Sequence, residues 1–462
     1  MELQGKKVLV VGLARTGIAA ARFLARQGVR LKVSEARAAI EVEAAQKALQ
    51  DLPVEWEWGG HTLRFFEEVD LIVVSPGVPM DLEPLVQARA KGIPVISEME
   101  LAFQFLRHPV IGITGTNGKT TTTTLIGEML RAAGRKVFVG GNIGNPLIDY
   151  VDGSQEEEWI VVEISSFQLE GIVNFRPHIS VLLNITEDHL DRYANFQEYI
   201  QAKGKIFQNQ RKDDYALLNA DDPLTFQFAH RIKSQVMLFS SQRAVPVGCF
   251  LERDAIVFQG GEGTQERLGL EGLKIRGIHN WENVMAAIGV AKICGCPSEA
   301  LQKVMGEFPG LEHRLEWVKD IDGVSFFNDS KGTNVGSVVK SLMSFREPIL
   351  LIAGGKDKGG DYSPLKNIVG TRVKGMVLIG EAKKKMYAAL GELTETLQAD
   401  TLEEAVHWAA SKASPGDVVL LSPACSSFDM FENYQERGRR FKAIVQELSR
   451  QTPGRKSLAH DR

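Results

Sequence analysis

The sequence predicts an α/β protein, because short apolar runs alternate with segments of helical spacing along the whole chain. Many of the apolar runs end in glycine-rich turns, which is typical of parallel sheets covered by helices. The length of 462 residues suggests about three domains. We expect a Rossmann-like amino-terminal domain (1–105), a central P-loop mononucleotide-binding domain (106–310) and a Rossmann-like carboxyl-terminal domain (311–462).

The composition is that of an ordinary globular protein, with 44% hydrophobic residues and a net charge of −4. This charge provides no overall basic field for nucleic acid or for an anionic membrane surface. Cys294 and Cys296 have the wrong spacing for a metal or redox pair, and the four cysteines are typical of reduced thiols. No segment resembles a signal peptide or a membrane span. We therefore expect a cytoplasmic, monomeric protein without membrane insertion.

The first domain begins with a predicted buried strand, Lys7–Val11, followed by the glycine turn Gly12–Gly17. A second strand ends at Glu35, so the pattern nearly matches a dinucleotide-binding fingerprint. Ala14 replaces its second glycine, so a nucleotide site is indicated without specifying NAD. The turn Ser75–Val78 follows a third strand and is expected at the same sheet edge. Glu35 could equally be a helix cap or a solvated acid.

The central domain carries the most informative stretch, Gly115–Thr120, between the apolar run Pro109–Ile113 and a helical pattern. Such a turn lets backbone N–H groups and a helix start surround phosphate oxygens. Lys119 would reach the β- and γ-phosphates, and the Thr120 hydroxyl would bind Mg²⁺. Ile113 stands where the strict motif has glycine. The alternative is a glycine-rich turn with a solvent-facing lysine.

Polar residues follow two further predicted strands of this domain. Glu163 lies near the end of Trp159–Ile164, where a buried carboxylate is costly unless it is paired or binds a metal. A salt-bridged core glutamate is the alternative. The strand His178–Ile185 leads into a concentrated polar segment containing Asp188, His189 and Arg192.

Two helices complete the central domain. Phe196–Phe207 has Gly204 near its middle, where glycine costs about 1 kcal/mol relative to alanine. The spacing alone places the neighbouring Lys203 on the surface. Asn280 and Asn283 precede the helix Val284–Lys292, and they could cap it or bind a nucleobase.

The last third alternates strands and helices, with polar turns at 328–334, 354–358 and 422–429 after three of the strands. Thr401–Glu404 is a predicted capping box at the start of one helix. Strand ends of one parallel sheet would bring the lysines and hydroxyls of these turns together, which suits a carboxylate-bearing substrate. Ordinary hydrophilic turns are the alternative. The polar segment 451–462 is expected to fray.

With these residues described, the chain resembles the Mur ligase family over nearly its whole length. The family's shortened phosphate loop accounts for Ile113, and the third-domain turns resemble those of the member that adds D-glutamate. Glu35 and Phe428 replace the Asp and Leu that are common there. The matching elements are Gly115–Thr120, Glu163, Asn184–His189, His279–Asn283, His313–Arg314, Asn328–Asn334 and Ser422–Phe428.

The resemblance implies an ATP- and Mg²⁺-dependent amide ligase of peptidoglycan precursor synthesis, acting on UDP-N-acetylmuramoyl-L-alanine and D-glutamate. It implies catalytic roles for Lys119, His189 and Lys203, with Lys203 carbamylated. Two Mg²⁺ sites would use Thr120, Glu163, His189 and Lys203. ATP would be bound by Gly115, Thr116, Asn117, Gly118, Lys119, Thr120, Thr121, Asn280, Asn283, Arg314 and Asp329.

The same resemblance supplies the two substrate sites. The UDP-linked substrate would contact Ala14, Arg15, Thr16, Glu35, Arg37, Ser75, Gly77, Asn142, Ser165, Gln168 and Arg192. D-Glutamate would contact Thr333, Lys358, Ser427 and Phe428.

Three other functions remain compatible with parts of the sequence. An NAD(P)-dependent oxidoreductase would use the Gly12–Gly17 turn but leaves Gly115–Thr120 and Glu163 without a role. A P-loop binding or regulatory protein would hydrolyse ATP without ligation. A sister ligase would add meso-diaminopimelate, L-lysine or L-alanine instead of D-glutamate.

Overall fold

A computed structural model describes residues 1–189 and 192–451. The predicted fraying of 451–462 therefore falls almost wholly outside the described residues. The described chain forms three β-sheets and divides into two compact units. The first unit contains Met1–Ile185, Asn195–Gly272 and Glu282–Gly306, and the second contains Thr186–Ala194, Leu273–Trp281 and the chain from Glu307 onward.

The first sheet confirms the predicted Rossmann-like start of the chain. Its five parallel strands are arranged in the order β3-β2-β1-β4-β5. Buried aliphatic residues of its central strands form the core. Its elements are β1 (Lys7–Val11), α1 (Arg15–Arg26), β2 (Arg30–Glu35), α2 (Glu43–Lys47), β3 (Val54–Trp58), α3 (Leu63–Glu67), β4 (Leu71–Val74), α4 (Glu83–Ala90), β5 (Val95–Ser97) and α5 (Glu98–Phe103).

The second sheet has nine strands, in the order β14-β13-β12-β11-β10-β9-β6-β8-β7. Strand β13 pairs antiparallel with both β12 and β14, an extension that the strand–helix alternation did not predict. The predicted strand His178–Ile185 is shorter in the structure. The elements are β6 (Val110–Thr114), α6 (Lys119–Ala132), β7 (Val137–Gly141), α7 (Leu147–Val151), β8 (Trp159–Glu163), α8 (Ser166–Glu170), β9 (Ile179–Leu182), α9 (Phe196–Gly204), β10 (Tyr215–Asn219), α10 (Pro223–Phe226), β11 (Gln235–Ser240), β12 (Gly248–Glu252), β13 (Ala255–Gln259), β14 (Gln265–Gly269), α11 (Ile278–Ile293) and α12 (Ser298–Glu307).

The third sheet has the order β15-β16-β20-β17-β18-β19 and is parallel except for the β15–β16 hairpin. Helices cover both faces, and Thr401 caps one of them as predicted, but Glu404 accepts from the Asp400 N–H and so does not complete the predicted capping box. Among the described residues no helix has the length and apolarity to cross a bilayer. The elements are β15 (Glu316–Ile321), β16 (Val324–Asn328), α13 (Val335–Met343), β17 (Ile349–Gly354), α14 (Lys366–Arg372), β18 (Val373–Ile379), α15 (Lys383–Leu390), β19 (Glu395–Gln398), α16 (Leu402–Lys412), β20 (Val418–Leu421) and α17 (Tyr434–Gln451).

Candidate active site

The glycine turn between β6 and α6 has the geometry of a phosphate loop. Gly115 and Gly118 adopt φ angles of 148° and 87°, which side chains rarely tolerate. The Lys119 ammonium donates to the carbonyls of Gly115 and Thr116, at 2.9 Å each. The lysine is therefore held over the loop, and the alternative of a solvent-facing side chain is wrong.

Asn184, two residues after the neighbouring β9, holds the loop by hydrogen bonds. Its side-chain oxygen accepts from the Asn117 N–H at 2.9 Å, and its amide donates to the Asn117 carbonyl at 3.0 Å. Its own carbonyl accepts from the Thr116 N–H at 2.9 Å. Asn184 was part of the matching sequence element but not of the predicted site. The pairing of β6 with β9, which sequence does not specify, brings it there.

Asn283 packs directly on the loop. A side chain at Gly118 would meet Asn283 Oδ1 at 2.2 Å, and Thr122 donates to the same oxygen at 3.3 Å. Helix α11 begins at Ile278, earlier than predicted, so both asparagines lie inside it. The Asn280 side-chain amide donates to the Arg276 carbonyl at 2.7 Å. This bond is not a helix cap, because a cap needs the side-chain oxygen as an acceptor. Their roles at adenine stay predictions.

Glu163 ends β8, where its strand register pairs it with Ile113 beside the loop. One carboxylate oxygen accepts from the Asn142 amide at 2.8 Å. The other is buried and has no hydrogen-bond partner among the described residues, and no ion pair of Glu163 occurs within them either. A buried carboxylate without a cation is costly. The donor set therefore fits a divalent cation better than the alternative of a salt-bridged core glutamate.

Lys203 is 1% exposed, so the prediction that it lies on the surface is wrong. Its ammonium donates to the Gly115 carbonyl at 2.8 Å and lies 4.6 Å from the centre of the Tyr199 ring. The adjacent Gly204 explains this burial. A Cβ there would meet the Phe228 ring at 2.3 Å, so only glycine lets α9 pack this closely. Two lysine ammonium groups, those of Lys119 and Lys203, thus reach the same carbonyl of the loop.

The turn after β1 is closed by its own polar groups. Gly12 has a φ of 87°, and a Cβ on Gly17 would approach the Gly12 carbonyl to 2.0 Å. The Ser75 hydroxyl, after β4, donates to that carbonyl at 2.8 Å. The turns after β1 and β4 therefore share one sheet edge, as predicted.

Glu35 ties this edge together. It accepts from the Leu13 N–H at 2.7 Å, and both of its oxygens accept from Arg37 side-chain nitrogens at 3.0 Å. Burial alone would raise the pKa of Glu35, but the bonds from Arg37 and Leu13 lower it to about 2. Glu35 is buried, so the alternative of a solvated acid is wrong.

A hydrogen-bonded group that was not predicted extends this edge to β3. The Ser34 hydroxyl lies 2.7 Å from both Glu57 Oε2 and His61 Nδ1. Since the carboxylate only accepts, Ser34 donates to it, and His61 must donate its Nδ1 proton to Ser34. Burial lowers the pKa of His61. No strand was predicted at β3, so its following turn was overlooked.

Residues of the central sheet lie near the first sheet within the first unit. Arg15 donates to the Asn145 side chain at 3.0 Å. Ser165 and Gln168 form a reciprocal capping box at the start of α8, so both have a structural role there. Asn142 bonds Glu163. Binding of the UDP-linked substrate by Ala14, Thr16, Gly77, Asn142, Ser165 and Gln168 stays a prediction.

In the second unit, Asp188 connects several predicted site residues. It accepts from the His189 N–H at 3.0 Å and from the Asn334 amide at 3.2 Å, and it lies 3.6 Å from the Lys358 ammonium. Burial would raise the pKa of Asp188, but Lys358, His189 and Asn334 together lower it. His189 has a φ of 57°, and its carbonyl accepts from the Arg192 N–H. Asp188 itself was not among the predicted site residues.

The three polar turns of the third sheet meet at one edge, as predicted. The Gly354 N–H donates to the Pro423 carbonyl at 2.8 Å, and the Ala424 N–H donates to the Gly332 carbonyl at 2.9 Å. These turns carry Thr333, Lys358 and Ser427. Phe428 is 68% exposed. Contact of these four residues with D-glutamate stays a prediction.

Arg437 holds these turns and was not predicted. It is 1% exposed and donates to the Ser330 side chain and carbonyl, and to the carbonyls of Cys425 and Ser426. Burial lowers its pKa to about 10. An arginine in the first turn of a helical sequence gives no signal that it will be buried.

Asp329 is buried after β16 and accepts from the hydroxyls of Ser341 and Ser422, at 2.7 Å each. Its other oxygen accepts from the Leu315 N–H at 3.2 Å. Burial raises its pKa to about 6, although these bonds act in the opposite direction. The predicted contacts of Arg314 and Asp329 with ATP are not tested by this geometry.

Three family sequence models match the chain: "Mur ligase MurD-like, N-terminal domain" over 6–97, "Mur ligase middle domain" over 113–291 and "Mur ligase, glutamate ligase domain" over 313–425. The chain is 54% identical to the UDP-N-acetylmuramoylalanine–D-glutamate ligase of Geotalea uraniireducens, over 97% of this chain and 99% of that protein. It is 54% identical to the ligase of the same name from Geobacter sp. strain M21, over 96% and 98%.

Solved structures share the fold at low identity. A pseudomurein peptide ligase type C from Methanothermus fervidus aligns with a TM-score of 0.60 at 19% identity, over 96% of this chain and all of that one. The UDP-N-acetylmuramate–alanine ligase of Thermotoga maritima aligns with a TM-score of 0.58 at 20% identity, also over 96% and 100%.

Proposed function

The chain belongs to the Mur ligase family, and on that premise we propose that it joins D-glutamate to UDP-N-acetylmuramoyl-L-alanine at the expense of ATP. The observation that carries the proposal is the phosphate loop, where two lysine ammonium groups contact the Gly115 carbonyl. Near it lies Glu163, with a buried carboxylate oxygen that needs a cation. The near full-length relatives supply the substrate names.

The chemistry follows from the weakness of a carboxylate as an acyl donor. The L-alanine carboxylate oxygen attacks the γ-phosphorus, so that an acyl phosphate forms and ADP leaves. The D-glutamate amine then attacks the carbonyl carbon, loses a proton and expels inorganic phosphate from a tetrahedral intermediate. Phosphoryl transfer depends mainly on positioning and on neutralising charge. Lys119 provides that charge at the loop.

Magnesium would be held by Thr120 and Glu163, with a second site using His189 and Lys203. When bound, the ion neutralises phosphate charge and orients the phosphate oxygens. The unpartnered Glu163 oxygen supports the first of these sites.

Lys203 is proposed to be carbamylated, because an ammonium would repel a metal ion. The carbamate forms when the neutral ε-amine attacks CO₂ and loses a proton. Its nitrogen keeps one N–H, so the hydrogen bond to the Gly115 carbonyl can persist. The modified side chain would then contribute a carboxylate for the metal.

The UDP-linked substrate is proposed to bind at the carboxyl edge of the first sheet, where Glu35 and Arg37 order the turn after β1. D-Glutamate is proposed to bind at the edge of the third sheet, with Lys358 facing a carboxylate and Thr333 and Ser427 donating hydroxyl hydrogen bonds. Because Asp188 lies 3.6 Å from Lys358, a substrate carboxylate must share that lysine. Domain limits at 105 and 310, a monomer and a cytoplasmic location belong to the same proposal.

The decisive experiment incubates the purified chain with ATP, Mg²⁺ and UDP-N-acetylmuramoyl-L-alanine, and adds one amino acid at a time. We expect phosphate release and a product heavier by one glutamyl residue only with D-glutamate. Product with meso-diaminopimelate, L-lysine or L-alanine would identify a sister ligase. Phosphate release without any amino acid would instead identify an ATPase, and an NADH-dependent spectral change would revive the oxidoreductase.

A further inference from the structure

Arg314 lies in a strained segment of the second unit. His313 and Leu315, on either side of it, adopt φ angles of 67° and 43°, in the left-handed region that favours glycine. A non-glycine residue held there is strained and persists only where its surroundings fix it. Burial lowers the pKa of His279 and raises that of Asp329, and the charge of the nearby Arg314 guanidinium acts to lower both.

Asn328 fixes the first strained residue. Its amide nitrogen donates one hydrogen to His313 Nδ1 and the other to Glu316 Oε2, at 2.9 Å each, and its oxygen accepts from the Ser330 N–H at 3.1 Å. A rotated amide would place its oxygen against the Glu316 carboxylate, so only one orientation satisfies every partner. Asn328 and His313 are both buried. Asn328 therefore determines where the imidazole lies.

Gly438, in α17, provides the space for that imidazole. A Cβ at Gly438 would meet His313 Nδ1 at 2.2 Å, although its backbone conformation is open to any residue. The Tyr434 ring, one turn earlier in the same helix, packs edge-on against the imidazole with ring centres 5.9 Å apart. The His313 N–H donates to Glu316 at 2.9 Å, and Lys442 donates to the same carboxylate group at 2.8 Å.

The second strained residue is held by the neighbour of Asn328. The Leu315 N–H donates to Asp329 Oδ1, and the two serine hydroxyls bound to Oδ2 fix that carboxylate. Two consecutive residues at the end of β16 thus hold both flanks of Arg314. We refer to His313, Asn328, Glu316 and Gly438 as the His313 clamp.

We propose that Asn328 and Gly438 are positioning residues that, through the His313 clamp, present the Arg314 guanidinium to the ATP phosphates. The inference rests on the proposed function, because the contact of Arg314 with ATP belongs to it. Asn328 and Gly438 touch no substrate in this account. Their effect on nucleotide binding must therefore vanish when Arg314 is absent.

A double-mutant cycle tests this dependence with Mg²⁺–AMP-PNP as the probe and isothermal titration as the readout. We expect Asn328→Ala to weaken binding about tenfold in the wild-type background and less than about twofold in an Arg314→Ala background. The KM for ATP should rise similarly, while the KM for the UDP-linked substrate stays unchanged. Equal losses in both backgrounds, or no loss in the wild type, would overturn the clamp's role.

Gly438→Ala provides a second route, because its Cβ displaces the imidazole without removing any hydrogen-bonding side chain. It should reproduce the Asn328→Ala result, including the dependence on Arg314. Gly370→Ala is the matched control, since a Cβ there meets nothing within 4 Å in another helix of the same unit. Thermal melts identify any variant that fails to fold. If Asn328→Ala does not fold, the binding measured for Gly438→Ala decides whether the clamp positions Arg314. A wild type that binds AMP-PNP but ligates no D-glutamate refutes the proposed function alone; one that binds no nucleotide refutes both.

Discussion

Two turns of the first unit share a backbone plan but differ in charge. Gly12–Gly17 and Gly115–Lys119 each follow a parallel strand, lead into a helix and need glycine at a positive φ. The first is tied by the Glu35 carboxylate, whose pKa lies near 2. The second carries the ammonium groups of Lys119 and Lys203 on its Gly115 carbonyl. The same strand–turn–helix geometry therefore supports opposite electrostatics.

This difference indicates what each turn can bind. At the first turn the Leu13 N–H is already bonded to the Glu35 carboxylate, so this edge is less favourable for a triphosphate than the second turn. A turn that holds the Lys119 ammonium group beside a carboxylate able to bind a metal, that of Glu163, suits a triphosphate. Glycine spacing alone does not separate the two functions; the charged side chains that other strands supply do.

The largest expected effect comes from removing the positive charge at the second turn. Lys119→Ala should lower kcat by about a hundredfold or more, because charge stabilisation in phosphoryl transfer is lost. The melting temperature should barely change. Steady-state phosphate release measures the effect, and Lys6→Ala, at an exposed lysine, is the control. Activity retained in Lys119→Ala would refute the assignment of the loop.

The second prediction concerns Lys203. Lys203→Ala should lose most ligase activity, and added short carboxylates such as acetate or propionate should restore part of it by replacing the carbamate. Mass analysis of the intact wild type in bicarbonate should show the added carboxylate. Full activity in Lys203→Ala would contradict the carbamate role.

A smaller effect is expected from loosening the second turn without changing its charge. Asn184→Ala removes the side-chain bonds to Asn117 and should raise the KM for ATP about tenfold, since each lost buried bond costs about 1–3 kcal/mol. Asn367→Ala, an exposed position, should leave it unchanged. An unaltered KM in Asn184→Ala would show that the loop holds its shape without this residue.

A change at the first turn should affect the UDP-linked substrate instead of ATP. Glu35→Gln weakens the bonds from Leu13 and Arg37 and should raise the KM for the UDP-linked substrate about tenfold, as for a charged hydrogen bond. The KM for ATP should not change. Glu43→Gln, at an exposed acid, is the control. A change in the KM for ATP alone would contradict the division between the turns.

The smallest effect is a pH dependence of stability. Because the pKa of Glu35 falls from 4.5 to about 2 on folding, its carboxylate stabilises the fold above pH 4.5. That contribution is lost as the pH falls from about 4.5 to about 2. The difference in melting temperature between wild type and Glu35→Gln should shrink over this interval. A difference that stays constant would show that the carboxylate does not stabilise this turn.

Local patterns were sufficient to predict the parallel strands and the turns after them, because both depend on short-range hydrophobic and glycine spacing. Lys7–Val11 and Gly115–Thr120 are examples. The antiparallel strands β13 and β14 were not predicted, since they extend an alternation that does not require them. Helix α11 begins earlier than its apolar pattern because polar residues form its first turn.

The parts of the site that sequence could not supply depend on pairing and burial. Asn184 reaches the loop through the β6–β9 pairing, and Lys203 is buried because Gly204 lets Phe228 approach. Arg437 and Asn328 act inside the third sheet's edge, where composition gives no hint of their partners. Family resemblance supplied substrate roles, but not these supporting contacts.

In the proposed reaction, ATP activates the substrate carboxylate as an acyl phosphate. UDP-N-acetylmuramoyl-L-alanine labelled with ¹⁸O in that carboxylate should be converted with ATP and D-glutamate, and the released phosphate analysed by mass. We predict one ¹⁸O atom in each phosphate, because the attacking oxygen leaves with phosphorus when the amine displaces it. Unlabelled phosphate, formed alongside the amide product, would contradict the account.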